Sequence, residues 1–287
     1  MSTTILPPTP MSPVPPTGAP TPPPSPRTSS RVIAILAIVF GALVIVGTVS
    51  SAVWTTAASA SVRTGTNATG VSGVSDLDAD LSAGSLTIAF ADVDEAELTV
   101  TGTSGADRWV LERDGDTLVV RSPDSFWGGM WFSGGSAGEA ELRLPRDLSG
   151  IDADVSVAAG DFEASGDFGD LSLDLGAGRL AVDGSATALT LEVAAGRGEV
   201  QLDGVDTAEL SVSAGALQVG LTGTPPSEIT ADVSAGALTL SVPDGRYEIT
   251  SDVSGGSFDD RIGSTPGAQN TIDVEVSAGQ IVLRPGR

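Results

Sequence analysis

The sequence predicts an all-β protein built as a parallel β-solenoid, a β-helix-like stack of coils. Three observations predict it. First, glycines recur at a near-constant step. From Gly160 the equivalents Gly178, Gly196, Gly215, Gly236, Gly256 and Gly279 follow at spacings of 18, 18, 19, 21, 20 and 23 residues, and Gly84 marks an earlier copy. A period in this range is the mark of stacked repeats. Second, apolar and polar residues alternate on both sides of each glycine, as in Ser211-Val212-Ser213-Ala214-Gly215-Ala216-Leu217-Gln218-Val219; a period of two is that of a strand with one wet face. Third, no helical periodicity of any length occurs after residue 60.

Alternation on both sides of Ala-Gly fits a two-residue hairpin or the corner of a coil. The hairpin turn that suits twisted strands needs positive φ at both central residues, which Ala resists. A corner needs one glycine. A meander also leaves one apolar face in want of a second layer, whereas a coil encloses its own core. The coil is therefore preferred, with Val193, Leu210, Val212, Leu217, Val219, Val233, Leu238, Leu240, Val276 and Ile281 inward. Eight coils stacked in chain order give a rod about 40 Å long at ~4.8 Å per coil.

Composition narrows the chemistry. The 287 residues contain no cysteine and no histidine, and no lysine stands in the sequence. That removes disulfides, thiolate metal sites, the commonest general base and any Schiff-base amine. Acids outnumber bases 37 to 14, for a net charge of −23. Nucleic acid is a poor partner for such a chain, because phosphate binding needs clustered cations. No cofactor is expected.

Residues 1–31 are rich in Pro, Thr and Ser and contain no acid; they read as a disordered tail. Residues 32–54 are uncharged and apolar, long enough to span ~30 Å of hydrocarbon as one transmembrane helix. Arg27 and Arg31 precede this run and the next charge is Arg63, which orients the N-terminus to the cytoplasm and the C-terminal part outside the cell membrane. Ala58-Ser59-Ala60 keeps a cleaved signal peptide as the alternative. Residues 55–73 read as a linker or stalk. Asn67-Ala68-Thr69 is a glycosylation acceptor pattern of little specificity. The β-domain is then 74–287. Its start is less regular: Asp114-Gly115 marks a hairpin, residues 123–138 interrupt, and Glu141-Leu142-Arg143-Leu144-Pro145 is a strand stopped by proline.

Leu142-Arg143-Leu144-Pro145-Arg146, then Ile151-Asp152-Ala153 and the serial Ala-Gly repeats, resemble the bacterial "putative adhesin" ectodomain family, over about residues 75–285. The family is a domain of unknown function. The resemblance implies a β-solenoid behind a membrane segment, hence an envelope protein. Some relatives are associated with envelope-stress systems. The family brings no catalytic residues.

Three groups are candidate sites. Four residues before the marked glycines stand Asp80, Ser156, Asp174, Glu192, Ser211, Asp232, Asp252 and Glu275. Stacked coils make this an acidic ladder, either a stripe for divalent cations or a basic envelope partner, or an outward face kept soluble. Phe126, Trp127, Met130, Trp131 and Phe132 form an aromatic loop among glycines; it either binds a glycan, protein or membrane surface or caps an end of the rod. Asp259-Asp260-Arg261 is the tight acid–base cluster that a glycan-active solenoid enzyme would use, and it reads better as a turn cap. Asp76, Asp78 and Asp80 start like an EF-hand, but Leu81 replaces the required Gly and Thr87 the required Glu; no metal site is expected there. The expectation is a non-enzymatic, single-pass envelope protein whose acidic outer domain serves binding, adhesion or structure, with a glycan or protein of the envelope as candidate partner. An accessory sensor in envelope-stress signalling and a glycan-active enzyme are the alternatives.

Overall fold

The computed structural model describes residues 63–102, 108–123 and 138–286. The chain divides into Met1–Thr55 and Thr56–Arg287, and all described residues belong to the second unit. The Pro-rich tail, the apolar run 32–54 and Phe126, Trp127, Met130, Trp131 and Phe132 lie outside the described residues. Among the described residues no helix is long and apolar enough to cross a membrane.

The all-β expectation holds: the described residues form seventeen strands, with a 3-10 turn at Arg146–Leu148 after the proline that stops a strand. The repeat is a coil. β10 (Thr207–Val212) runs up to the Gly215 corner and β11 (Ala216–Thr222) leaves it. β12 (Glu228–Val233) and β13 (Ala237–Val242) repeat the move. β12 lies parallel to β10 with Asp232 beside Ser211, and β13 parallel to β11 with Leu238 beside Leu217. Where the corner stays extended, halves merge into longer strands: β8 (Ile151–Ser185) covers two coils and β9 (Ala188–Asp203) one. Alternation follows from the winding, since every second side chain faces the axis. All ten residues expected inward are buried. Burying each such Val, Leu or Ile stabilises the fold by roughly 1.5–3 kcal/mol, and parallel ladders between coils satisfy the backbone.

The glycines have a different reason from the one the sequence suggested. Positive φ is present at Gly84 (112°), Gly160 (153°) and Gly178 (124°) among the marked corners, so left-handed backbone explains only part of the series. The shared cause is close approach. A Cβ on Gly178 would lie 1.9 Å from the carbonyl oxygen of Gly160, one on Gly215 2.6 Å from that of Gly196, and one on Gly236 2.6 Å from that of Gly215. Each of these corners is seated on the backbone of the corner stacked next to it, with no room for a side chain.

Stacking in simple chain order holds in the middle and fails at both ends. The first repeat, β2 (Asp76–Leu81) and β3 (Gly84–Ala91), lies against β8 on one side. On its other side a ninth coil is added by β6 (Thr117–Arg121) and β7 (Glu139–Pro145), parallel to β2 and β3. Antiparallel strands close this end: β5 (Val110–Asp114) turns into β6 through Gly115-Asp116, so the hairpin is present but its turn lies one residue beyond the expected Asp114-Gly115, because Asp114 still pairs with Thr117, and β4 (Ala96–Gly102) covers β7. β1 (Arg63–Thr69) pairs with β4 along its whole length. The stalk reading is corrected for residues 63–69: the Ser/Thr/Gly composition looks like a linker, but edge pairing needs backbone rather than apolar side chains, and the rest of that stretch up to residue 62 lies outside the described residues. At the far end, β16 (Asn270–Val276) and β17 (Gln280–Pro285) pair directly with β12 and β13. β14 (Tyr247–Val253) and β15 (Ser257–Asp260), earlier in the chain, lie outside them. Inward positions explain the swap. β16–β17 offer Ile272, Val274, Val276, Ile281 and Leu283, all buried. The corresponding set in β14–β15 includes exposed Ser251 and Asp260, which tolerate an open end.

Candidate functional site

The outward residues of one face are set by register. Along the shared row, Asp80 stands beside Ser156, Asp174 beside Glu192, Glu192 beside Ser211, Ser211 beside Asp232, Asp232 beside Glu275, and Glu275 beside Asp252. All six acids singled out in the sequence therefore belong to one row, in a spatial order that differs from chain order only by the end swap. Parallel neighbours sit about 4.8 Å apart, so adjacent carboxylates repel unless solvated.

Two further rows rich in acids lie beside this one, both on its side away from the corner, and distance from the glycines alone did not point to them. Asp78 stands beside Asp154, and Asp76 beside Asp152. Glu209, Glu228, Glu248 and Asp273 continue these rows toward the far end. The signal was available: positions six and eight before each glycine share the wet face of the same strand. From β2 through β8, β9, β10, β12 and β16 to β14 no outward position on this face is basic. Arg121 on β6 is the first cation met at one end, and it is held by Glu112 at 3.2 Å. The opposite face mixes signs, with Arg179 3.7 Å from Asp161 and Arg143 2.9 Å from Glu141. Near β2, Asp76, Asp78, Asp152, Asp154 and Asp170 line a shallow open groove floored by Leu77 and Ala153, where the Asp170 amide donates to Asp152 Oδ1 at 2.8 Å.

Three members of the row nearest the corner have raised proton affinity. Partial burial among neighbouring strands pushes Asp174 up, and Asp154 adds repulsion. Burial, then Asp174 and Glu209, raises Glu192. Burial, then Glu275, raises Asp232. These are partly buried carboxylates held in a line with Ser211 between Glu192 and Asp232, and with no thiol or imidazole among them. Among the described residues no cluster of acids has the geometry to hold a metal ion, so the cation stripe gains no support.

The aromatic loop falls outside the described residues, but its two ends are fixed. The Ser122 amide donates to Asp80 O at 2.9 Å, Ser122 Oγ accepts from the Ser82 amide at 2.8 Å, and the carbonyl of Gly138 accepts from the Ser85 amide at 3.2 Å. In sequence the loop lies between β6 and β7. Asp259 pairs with Arg261 at 2.6 Å, and Asp260 Oδ1 accepts from the amides of Ile262 and Gly263. That cluster is a turn cap with its charges turned on one another.

The family model of the Toastrack domain, DUF4097, matches residues 74–281. No curated protein matches. Among solved structures, a "putative cell adhesion protein" from Clostridium sporogenes is 13% identical with a TM-score of 0.42, the match covering 78% of this chain and 100% of that one. A "putative adhesin" from Bacteroides fragilis is 14% identical with a TM-score of 0.35, covering 78% and 97%. A "putative lipid binding protein" from Parabacteroides distasonis is 15% identical with a TM-score of 0.36, again covering 78% and 97%.

Proposed function

The chain belongs to the Toastrack DUF4097 family, and on that premise we propose that it is a non-enzymatic envelope protein, anchored by residues 32–54, that holds an acidic face outside the cell membrane for binding. One observation carries this reading: the outward rows of one sheet face hold acids interspersed with Ser, Thr and Ala and no cation from β2 to β14, while the opposite face mixes both signs. Fixed rows of carboxylates suit a basic protein or an amine-bearing envelope glycan, and they oppose nucleic acid and anionic lipid. The apolar run with its preceding arginines supports the anchor and its orientation. The open, shallow surface and the self-paired Asp259 and Arg261 speak against a glycan-active enzyme.

The test uses the full chain in intact cells. Cross-linking followed by purification is compared between the parent and Asp174→Asn/Glu192→Gln/Asp232→Asn. The triple variant is expected to stay folded and to lose its cross-linked partner, and the parent to lose it at high salt. Unchanged partner recovery by the variant sinks the acidic-face reading. External protease that leaves residues 63–286 intact in whole cells, yet cuts them after lysis, sinks the location.

A further inference from the structure

The order of the last two coils carries an inference of its own. The C-terminal coil, β16–β17, is wedged between β12–β13 and β14–β15. Asp232, Glu275 and Asp252 lie side by side in that order. A Cβ on Gly279 would meet the Gly236 carbonyl at 2.4 Å, and one on Gly256 would meet the Gly279 carbonyl at 2.1 Å. Yet residues 247–260 carry the same repeat, with Tyr247, Ile249, Ser251 and Val253 in register with the inward positions of β16, a Gly-Gly corner and Phe258. They follow β13 after a connection of only residues 243–246, as short as the 223–227 connection that joins neighbouring coils. Residues 270–285 come back over the end coil by the longer connection 261–269.

The inner edge of β12–β13 thus has two segments of one chain matched to it. β12–β13 present Ile229, Ala231, Val233, Leu238 and Leu240; β16–β17 present the equivalent Ile272, Val274, Val276, Ile281 and Leu283, all buried. The end coil therefore meets nearly the same apolar layer in either place. We propose that the end of the stack is a two-position device: residues 247–260 stack on β12–β13 whenever residues 270–285 are withdrawn, and the C-terminal coil inserts as a wedge that moves them outward by one step. In the withdrawn state the C-terminal segment is an apolar strand pair free of the core. In the inserted state it is covered on both sides, and β14–β15 form the tip. Chain growth from the N-terminus makes the withdrawn order the first one available, because 247–260 are complete before 270–285 exist.

Cysteine pairs read the two orders directly, since the chain has no cysteine of its own. In the inserted state Asp232 and Asp252 are two strand spacings apart, about 9.6 Å, too far for a disulfide, whereas Asp232 and Glu275 are adjacent. The full chain carrying Asp232→Cys/Glu275→Cys is expected to cross-link under diamide, and Asp232→Cys/Asp252→Cys to stay reduced. Gly279→Val, which places a side chain against the Gly236 carbonyl and Val233, is then added to each pair. The 232/252 pair is now expected to close and the 232/275 pair to open, while amide exchange across β8 and β9 stays slow. A 232/252 pair that remains open with Gly279→Val overturns the proposal, as does one that closes in its absence.

Discussion

Asp174, Glu192 and Asp232 show how a shared outward row sets like charges side by side at a cost in stability. Their proton affinities are raised, by burial first and by neighbouring carboxylates second. The folded state therefore binds protons more readily than the unfolded chain. Stability falls as pH rises from the ordinary carboxylate range through the raised values, and it recovers as pH falls back. Melting followed between pH 7 and 4.5 is expected to show an upward shift in Tm on mild acidification. Asp232→Asn is expected to stabilise by about 0.5 kcal/mol at neutral pH, the order of a relieved like-charge neighbour on a sheet. A loss of stability in urea titration contradicts the ladder's electrostatics. Tyr247 behaves in the same sense at high pH. Its phenol is buried, donates to the Pro243 carbonyl at 3.0 Å, and is pushed up to about 12 by burial and by Asp244. Between pH 10 and 12 the folded state keeps a proton that the unfolded chain has lost, so stability declines across that window. Tyr247→Phe is expected to abolish the decline and to cost about 1 kcal/mol at neutral pH through the lost hydrogen bond.

At the scale of the element, the corner is the controlling feature. Glycine serves two separate purposes in this chain, and substitution separates them. Gly204 has φ of 74° and open space around its α-carbon; Gly204→Ala meets only backbone strain and is expected to cost about 1 kcal/mol. Gly178→Ala meets the Gly160 carbonyl and positive φ together and is expected to cost about 3 kcal/mol or more. Equal effects of the two in chemical denaturation contradict the close-approach account. The strand interiors follow the ordinary rules of packing. Leu217 is 1% exposed and fills the space above Gly198, whose Cβ would lie 2.7 Å from Leu217 Cδ1. Leu217→Ala leaves that level empty from both sides and is expected to cost about 3 kcal/mol or more. At the opposite corner hydroxyls and carboxylates link coil to coil. Asp167 accepts from Ser149 Oγ at 3.0 Å and from Ser185 Oγ at 2.8 Å, each 18 residues away.

At the scale of the whole molecule the two ends differ from the middle, and they differ from each other. One end is closed by antiparallel β1, β4 and β5. The other is half closed: the Thr265 amide donates to Tyr247 O and Ser264 Oγ meets the Ile249 backbone, while Val253 remains 41% exposed. Amide exchange is expected to be fastest in β14–β15 and slowest in β8 and β9; protection rising toward β14 contradicts the open tip. What the sequence by itself determined is the repeat: which residues face the axis, where each corner lies, and that six acids share one row. Period-two alternation and a fixed step leave a stacked coil no other way to bury Val, Leu and Ile. What only the tertiary structure decided is order and closure: the pairing of β1 with a distant strand, the ninth coil, the exchanged places of the last two, and the carbonyl seat beneath each glycine. Every coil edge presents the same hydrogen-bonding groups and nearly the same apolar layer, so local pattern cannot say which coil lies next to which. That choice falls to the balance of polar residues at inward positions, Ser251 and Asp260 against Val274 and Leu283, and that balance acts only once the coils are competing for a place inside the stack.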